Sequence, residues 1–88
     1  MLPSEPELGG RLLRAARVLL GWGQSRLAGE AGVSTAAVHA VECGRLTTTC
    51  PAAVAMLAAL ERGGVQFIPP IGQFGPGLRY TAQADRRS

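Results

Sequence analysis

The chain has 88 residues, which is enough for one small domain with a single modest core. Hydrophobic residues make up 47% of it but aromatic residues only 5%, so we expect a core of alanine, leucine and valine. The net charge of +3 is compatible with a polyanionic partner, and the longest apolar run, residues 52–60, is far too short to cross a membrane.

The first segment, residues 1–10, reads MLPSEPELGG. Its prolines and glycines oppose helix formation and predict a flexible N-terminal lead-in. It lacks the cationic start and the apolar stretch of a secretory signal, so we predict a cytoplasmic protein. In that compartment Cys43 and Cys50 are expected to stay reduced and to serve as small packing residues.

Four helices are predicted within a domain spanning residues 11–64. Strong helix formers begin at Arg11, and glycines close three of the helices. Ser34 is a good N-cap for the third helix, and Pro51 suits the first position of the fourth. The expected ranges are 11–20, 24–31, 35–43 and 51–62.

Apolar spacing predicts which faces of the outer helices are buried. On the first helix the expected face consists of Leu12, Ala16, Leu19 and Leu20. On the fourth helix the expected stripe consists of Val54, Leu57, Ala58 and Leu60.

A β-hairpin is predicted at residues 65–81, since the β-prone pieces VQFI and LRY flank the turn-rich PPIGQFGPG. Strands are expected near residues 65–68 and 78–81, followed by a disordered tail at residues 82–88. The hairpin carries more apolar surface than a free two-stranded ribbon should, so we predict that it forms a homodimer interface. The alternative is a monomer whose hairpin completes the core. The expected interface residues are Val65, Phe67, Ile68, Leu78 and Tyr80.

The stretch LAGEAGVSTAAVHAVECG breaks one helix at Gly32 and starts the next from Ser34. Two closely packed helices need a small residue where they cross, which Ala28 supplies, and apolar side chains such as Val38 and Val41 on the inner face. They also need a residue that tolerates positive φ in the turn, which Gly32 supplies. An ordinary helical hairpin would need only the apolar positions. The spacing therefore predicts a helix-turn-helix.

The segment RAARVLLGWGQSRLAGEAGVSTAAVHAVECGR resembles the Cro/repressor-like (Xre-like) helix-turn-helix family. The similarity is closest to short bacterial members with RAAR-LLGW-Q before the motif and GV-FI plus GPG-R after it, and it covers about residues 11–80. It implies a mostly α, four-helix, lambda-repressor-like DNA-binding domain with a C-terminal β-hairpin in place of the usual fifth helix. It also implies that Gln24 contacts a phosphate and that Arg17 lies beside Glu42 and ties two helices together.

The third helix is expected to lie in the major groove of DNA, with its small residues allowing close approach to the bases. The residues predicted to contact bases are Thr35, Ala36, His39 and Ala40. The residues predicted to contact phosphates are Gln24, Arg26, Ser34, Ala37 and Arg45.

These features predict a DNA-binding transcriptional regulator that binds a (pseudo)palindromic operator as a homodimer. The alternatives are the antitoxin of a toxin–antitoxin pair and a protein-interaction module on the same fold. We expect no enzymatic activity, because no nucleophile–base arrangement is present. His39 and Cys43 are four residues apart, but without a tetrahedral ligand set we expect no metal. No cofactor, small-molecule ligand or membrane association is predicted.

Overall fold

A computed structural model describes residues 6–81 as four helices followed by a two-stranded antiparallel hairpin, which confirms the predicted fold class. The elements are α1 (Pro6–Leu19), α2 (Gln24–Ala31), α3 (Thr35–Glu42), α4 (Pro51–Gly63), β1 (Val65–Ile68) and β2 (Gly77–Tyr80). No helix in this described range is long and apolar enough to cross a membrane. The predicted tail and the first five residues of the predicted lead-in lie outside the described residues.

The helix ends follow local chemistry closely. Gly21, Gly32 and Gly44 adopt positive φ values of 73°, 71° and 79°, where a side chain would be strained. The Ser34 side chain accepts a hydrogen bond from the Ala37 backbone N–H at 3.0 Å, as expected of an N-cap. At α4 the same role falls to Cys50, whose Sγ accepts from a backbone N–H at 3.4 Å.

Helix α1 begins at Pro6, five residues before the predicted start, so residues 6–10 do not form a flexible lead-in. Pro6 is the first residue of the helix, where its missing N–H costs nothing. Gly9 and Gly10 are buried. A Cβ on Gly10 would lie only 2.4 Å from the Val41 carbonyl oxygen. Gly10 therefore serves close packing of α1 on the end of α3, and the glycine content of this segment is misleading as a sign of disorder.

Replacing Gly10 with alanine should consequently lower the free energy of unfolding, although alanine is the better helix former. The added methyl meets backbone, which cannot rotate away, so we expect a loss of about 3 kcal/mol, at the upper end of typical overpacking costs. Chemical denaturation of the purified variant measures this directly.

Gly29→Ala is the matched control, because a Cβ at this position of α2 meets nothing within 4 Å. It should stabilise the protein by up to about 1 kcal/mol. Equal effects of the two substitutions would contradict the close approach of α1 and α3.

The core is built from alanine, leucine and valine, with one methionine and one phenylalanine. Its largest fully buried side chains come from all four helices and β1: Leu13, Leu27, Met56, Leu60, Val38, Val41 and Val65. The predicted stripe of α4 is correct at Leu60, which is fully buried, and wrong at Val54, which is 55% exposed. Leu57 and Ala58 are only half-buried, and the other buried residues are Ala53, Met56 and Ala59. Since α4 is apolar on most of its circumference, spacing alone does not select a face. The small Ala53 and Ala59 allow the other helices to approach.

The two strands pair in register from Val65 opposite Tyr80 to Ile68 opposite Gly77, one residue earlier on β2 than predicted. Val65 and Phe67 are buried in the protein's own core, with 2% and 7% exposure. This corrects the predicted dimer interface for these two residues, since side chains that complete a core have no surface left for a partner.

The other three predicted interface residues retain some surface. Ile68 and Leu78 are half-buried, and Tyr80 is 44% exposed while its hydroxyl donates to the Leu19 carbonyl. The hairpin therefore packs on the helices through one face. The alternative of a monomer whose hairpin completes the core requires this arrangement.

Candidate nucleic-acid interface

Helices α2 and α3 form a tight pair around the Gly32 turn. Leu27, Val38 and Val41 have no exposed surface, and Ala28 is 5% exposed. The backbone N–H groups of Gly32 and Val33 both donate to the Ala28 carbonyl, which closes α2 before Ser34 starts α3. The turn is thus held by backbone hydrogen bonds, and α3 has a fixed direction relative to α2.

The outer face of α3 is exposed and free of exposed acidic side chains. Thr35, Ala36 and His39 are exposed, and Ala40 is half-buried. The one acidic residue of this helix, Glu42, is 8% exposed and points inward. Three of the four predicted base-contacting residues therefore present accessible side chains on a face of small residues, which allows close approach to another surface.

Glu42 is held by a three-residue cluster that joins α1, α2 and α3. Arg17 Nε donates to Glu42 Oε2 at 2.7 Å, and Arg17 Nη2 donates to Oε1 at 3.0 Å, a bidentate pair of the kind that the resemblance implied. Gln24 Nε2 donates to the same Oε1 at 3.0 Å, and Arg17 Nη1 donates to the Trp22 carbonyl at 3.0 Å. The carboxylate at the end of α3 is thereby paired with a cation, and the three helices are fixed to one another.

The position of Gln24 in this cluster was not foreseen. Its side-chain amide is engaged inside the protein, which leaves one amide hydrogen and its backbone N–H for an outside acceptor. No spacing along the chain signals this contact, because it depends on how the start of α2 packs against the end of α3.

The N-terminus of α2 offers unused backbone donors. Gly23 makes no side-chain cap, and within residues 6–81 the N–H groups of Gln24, Ser25 and Arg26 make no backbone hydrogen bond. Such groups, with the positive end of the helix dipole, bind anions.

At the N-terminus of α3 the situation differs. Ala37 has a single hydrogen-bond donor, its backbone N–H, and this group already donates to Ser34 Oγ. A phosphate contact through Ala37 therefore loses support, while the Ser34 hydroxyl hydrogen remains available to donate.

The two arginines predicted to contact phosphates lie in different environments. Arg45 is exposed and makes no side-chain hydrogen bond or ion pair within the described part of the chain. Arg26 pairs with Glu30 at 3.1 Å, and its guanidinium lies 4.8 Å from the centre of the Trp22 ring. Arg26 and Glu30 are both exposed, so this ion pair is weak, and Arg26 can exchange Glu30 for another anion. Sequence reasoning missed Trp22, which lies two residues before α2 begins and four residues before Arg26.

His39 and Cys43 also contact each other on the outside of α3, with Sγ 3.5 Å from Nε2. Cys43 is exposed, which corrects its prediction as a packing residue, whereas Cys50 is half-buried. Among the described residues no group of three or more histidine, cysteine or acidic side chains could hold a metal ion.

Comparison of the sequence with known protein families and with curated proteins finds no match to either.

Proposed function

We propose that the protein is a DNA-binding transcriptional regulator that places α3 in the major groove. The observation that carries this proposal is the outer face of α3: exposed, built from small residues, and cleared of negative charge by burial of Glu42 against Arg17. A polyanion could approach such a face closely, and the similarity of residues 11–80 to Cro/repressor-like proteins points the same way.

Backbone contacts would flank the groove contacts. The N–H groups at the start of α2 lie near the end of α3, because Gln24 donates to Glu42 at 3.0 Å. Arg45 follows that end of α3, and its side chain has no partner among residues 6–81. Phosphates bound by these groups would set the orientation of α3, while Thr35 and His39 supply the hydrogen-bonding groups on its exposed face.

The test is selection of binding sites from random duplex DNA by the full-length protein, followed by fluorescence anisotropy at several salt concentrations. We expect an enriched site and an affinity that falls steeply with salt. The slope of log K against log salt is about −0.9 for each phosphate neutralised, so Arg26 and Arg45 from two protomers predict a slope of about −4.

Arg45→Gln should make that slope shallower by about 2 if two protomers bind. Arg79→Gln is its matched control, since Arg79 is also exposed but donates to Gln66 on the hairpin at 2.7 Å, and it should leave the slope unchanged. Failure to enrich any site, with no salt-dependent binding to mixed DNA, would favour a protein-interaction module instead.

We also propose that the protein binds its operator as a homodimer, in contact through the end of the hairpin. Ile71 and Phe74 are 64% and 69% exposed there, and each donates a backbone hydrogen bond to the other at 2.9 Å. These ordered apolar side chains replace the buried Val65 and Phe67 as the centre of the proposed contact. Two half-sites one helical turn apart would then be read by two copies of α3.

Phe74→Glu is expected to convert this dimer to a monomer, because it would place two carboxylates in an apolar contact. Sedimentation velocity at micromolar concentration measures the change. Val54→Glu, at a residue of α4 that is 55% exposed, introduces the same charge elsewhere and should leave the dimer intact. A wild-type protein that sediments as a monomer and binds DNA one copy per site would refute the dimer.

A further inference from the structure

An open apolar groove of about 430 Å³ lies between α1 and β2. Its floor and rim consist of Arg11, Arg14, Ala15, Val18, Leu19 and Leu78. Val18 is 60% exposed within it, an unusual position for a valine on a helix whose other long apolar side chains are at least half-buried. Neither the DNA contacts nor the hairpin contact proposed above uses this surface.

We propose that this groove binds an acidic peptide segment of a partner protein, with one apolar side chain on its floor and carboxylates beside Arg11 and Arg14. The rim carries the positive charge of two arginines. Both arginines are exposed, and within residues 6–81 neither makes a side-chain hydrogen bond or ion pair, even though Glu7 is one turn before Arg11. Guanidinium groups bind carboxylates bidentately, and an apolar floor excludes a bare phosphate as the preferred occupant.

The groove lies on a different side of α1 from the proposed DNA interface. Arg17 marks the side that meets α3. Around the axis of α1, Ala15 and Leu19 are about 160° from Arg17 and Val18 is about 100° from it, while Arg14, on the rim, is about 60° away. A partner could therefore occupy the groove while α3 is in contact with DNA, so the surface adds protein recruitment to the proposed regulator.

A second copy of this chain fits the groove less well. The two most exposed large apolar side chains of the described residues, Ile71 and Phe74, are at the hairpin end, and residues 63–81 contain no aspartate or glutamate. Ile71 or Phe74 of another copy could cover the floor but would leave both arginines without a carboxylate. The charge of the rim thus favours an acidic segment.

Selection from a displayed library of random peptides, with the full-length protein as bait, tests the proposal. We expect enrichment of peptides in which one aromatic or aliphatic residue is flanked by aspartate or glutamate. An enriched peptide, synthesised with a fluorophore, should bind Val18→Glu at least ten-fold more weakly than wild type. Val54→Glu changes an exposed valine on another helix and should bind as wild type does.

The rim is tested by charge reversal. Arg11→Glu together with Arg14→Glu should lose the acidic peptide and retain binding to the DNA site selected by the wild-type protein. No enrichment, enriched peptides without acidic residues, or binding that is unchanged in Val18→Glu would each overturn the proposal. So would a wild-type dimer that Val18→Glu dissociates, since the occupant would then be a second copy. Peptide binding is measured without DNA, so failure of DNA binding and failure of the groove are distinguishable.

Discussion

Thr35→Asp combined with His39→Asp is expected to weaken binding to the selected DNA site by at least about 100-fold, or about 2.7 kcal/mol. Both side chains are exposed on the outer face of α3, which otherwise carries no exposed acidic group. Each protomer would bring two carboxylates toward the bases and phosphates, and like charges at an interface cost several kcal/mol.

The substitutions should leave the fold intact. Thr35 is the first residue of α3, where an aspartate interacts favourably with the helix dipole. His39 is exposed, and among residues 6–81 its side chain hydrogen-bonds only with Cys43, on the surface. Circular dichroism should therefore give an unchanged helical spectrum, and anisotropy with the selected duplex should measure the lost affinity.

Gln66→Asp combined with Val54→Asp is the control, because it changes the net charge equally at two exposed positions outside α3 and away from the end of the hairpin. We expect only a small, salt-sensitive loss from it. A folded Thr35→Asp/His39→Asp variant that binds with undiminished affinity would remove α3 from the interface.

Arg17→Met is expected to lower the free energy of unfolding by about 3–5 kcal/mol. The side chains of Arg17 and Glu42 are 12% and 3% exposed, so loss of the guanidinium leaves a buried carboxylate with only the Gln24 amide as its donor. The Trp22 carbonyl loses its donor as well. Urea denaturation measures the change.

Arg14→Met provides the comparison, since Arg14 is on the same helix but exposed, and it should change stability by no more than about 0.5 kcal/mol. Arg17→Met combined with Glu42→Leu should recover much of the loss, because a buried ion pair can be replaced by apolar side chains at little cost. Similar stabilities for Arg17→Met and Arg14→Met would contradict a stabilising role for the cluster.

The local breaks of the backbone were predictable because each depends on a few neighbouring residues. Gly32 has positive φ, Ser34 caps α3 and Pro51 opens α4, as the sequence predicts. These effects arise from sterics and from hydrogen bonds that span three or four residues. The apolar residues that join α2 to α3 were equally predictable from the sequence, since 3.6-residue periodicity places Val38 and Val41 on one face.

The candidate site was predictable in part for the same reason. The inner face of α3 is apolar, so the sequence predicts that Thr35 and His39, on the opposite face, are exposed. The environment of Gln24 depends on which helices meet, and spacing along the chain does not contain that information. The cation–π contact of Arg26 with Trp22, by contrast, joins residues only four positions apart.

Sequence by itself therefore determined where helices α2, α3 and α4 begin, where they end to within one residue, and that a hairpin follows them. Tertiary structure decided three things: that Gly10 continues a helix because it meets the Val41 carbonyl, that α4 buries Ala53 and not Val54, and that Val65 and Phe67 complete the core. The physical reason is common to all three. Glycine in a helix and a side chain on a uniformly apolar face are each compatible with more than one arrangement locally, and only close packing between distant segments selects among them.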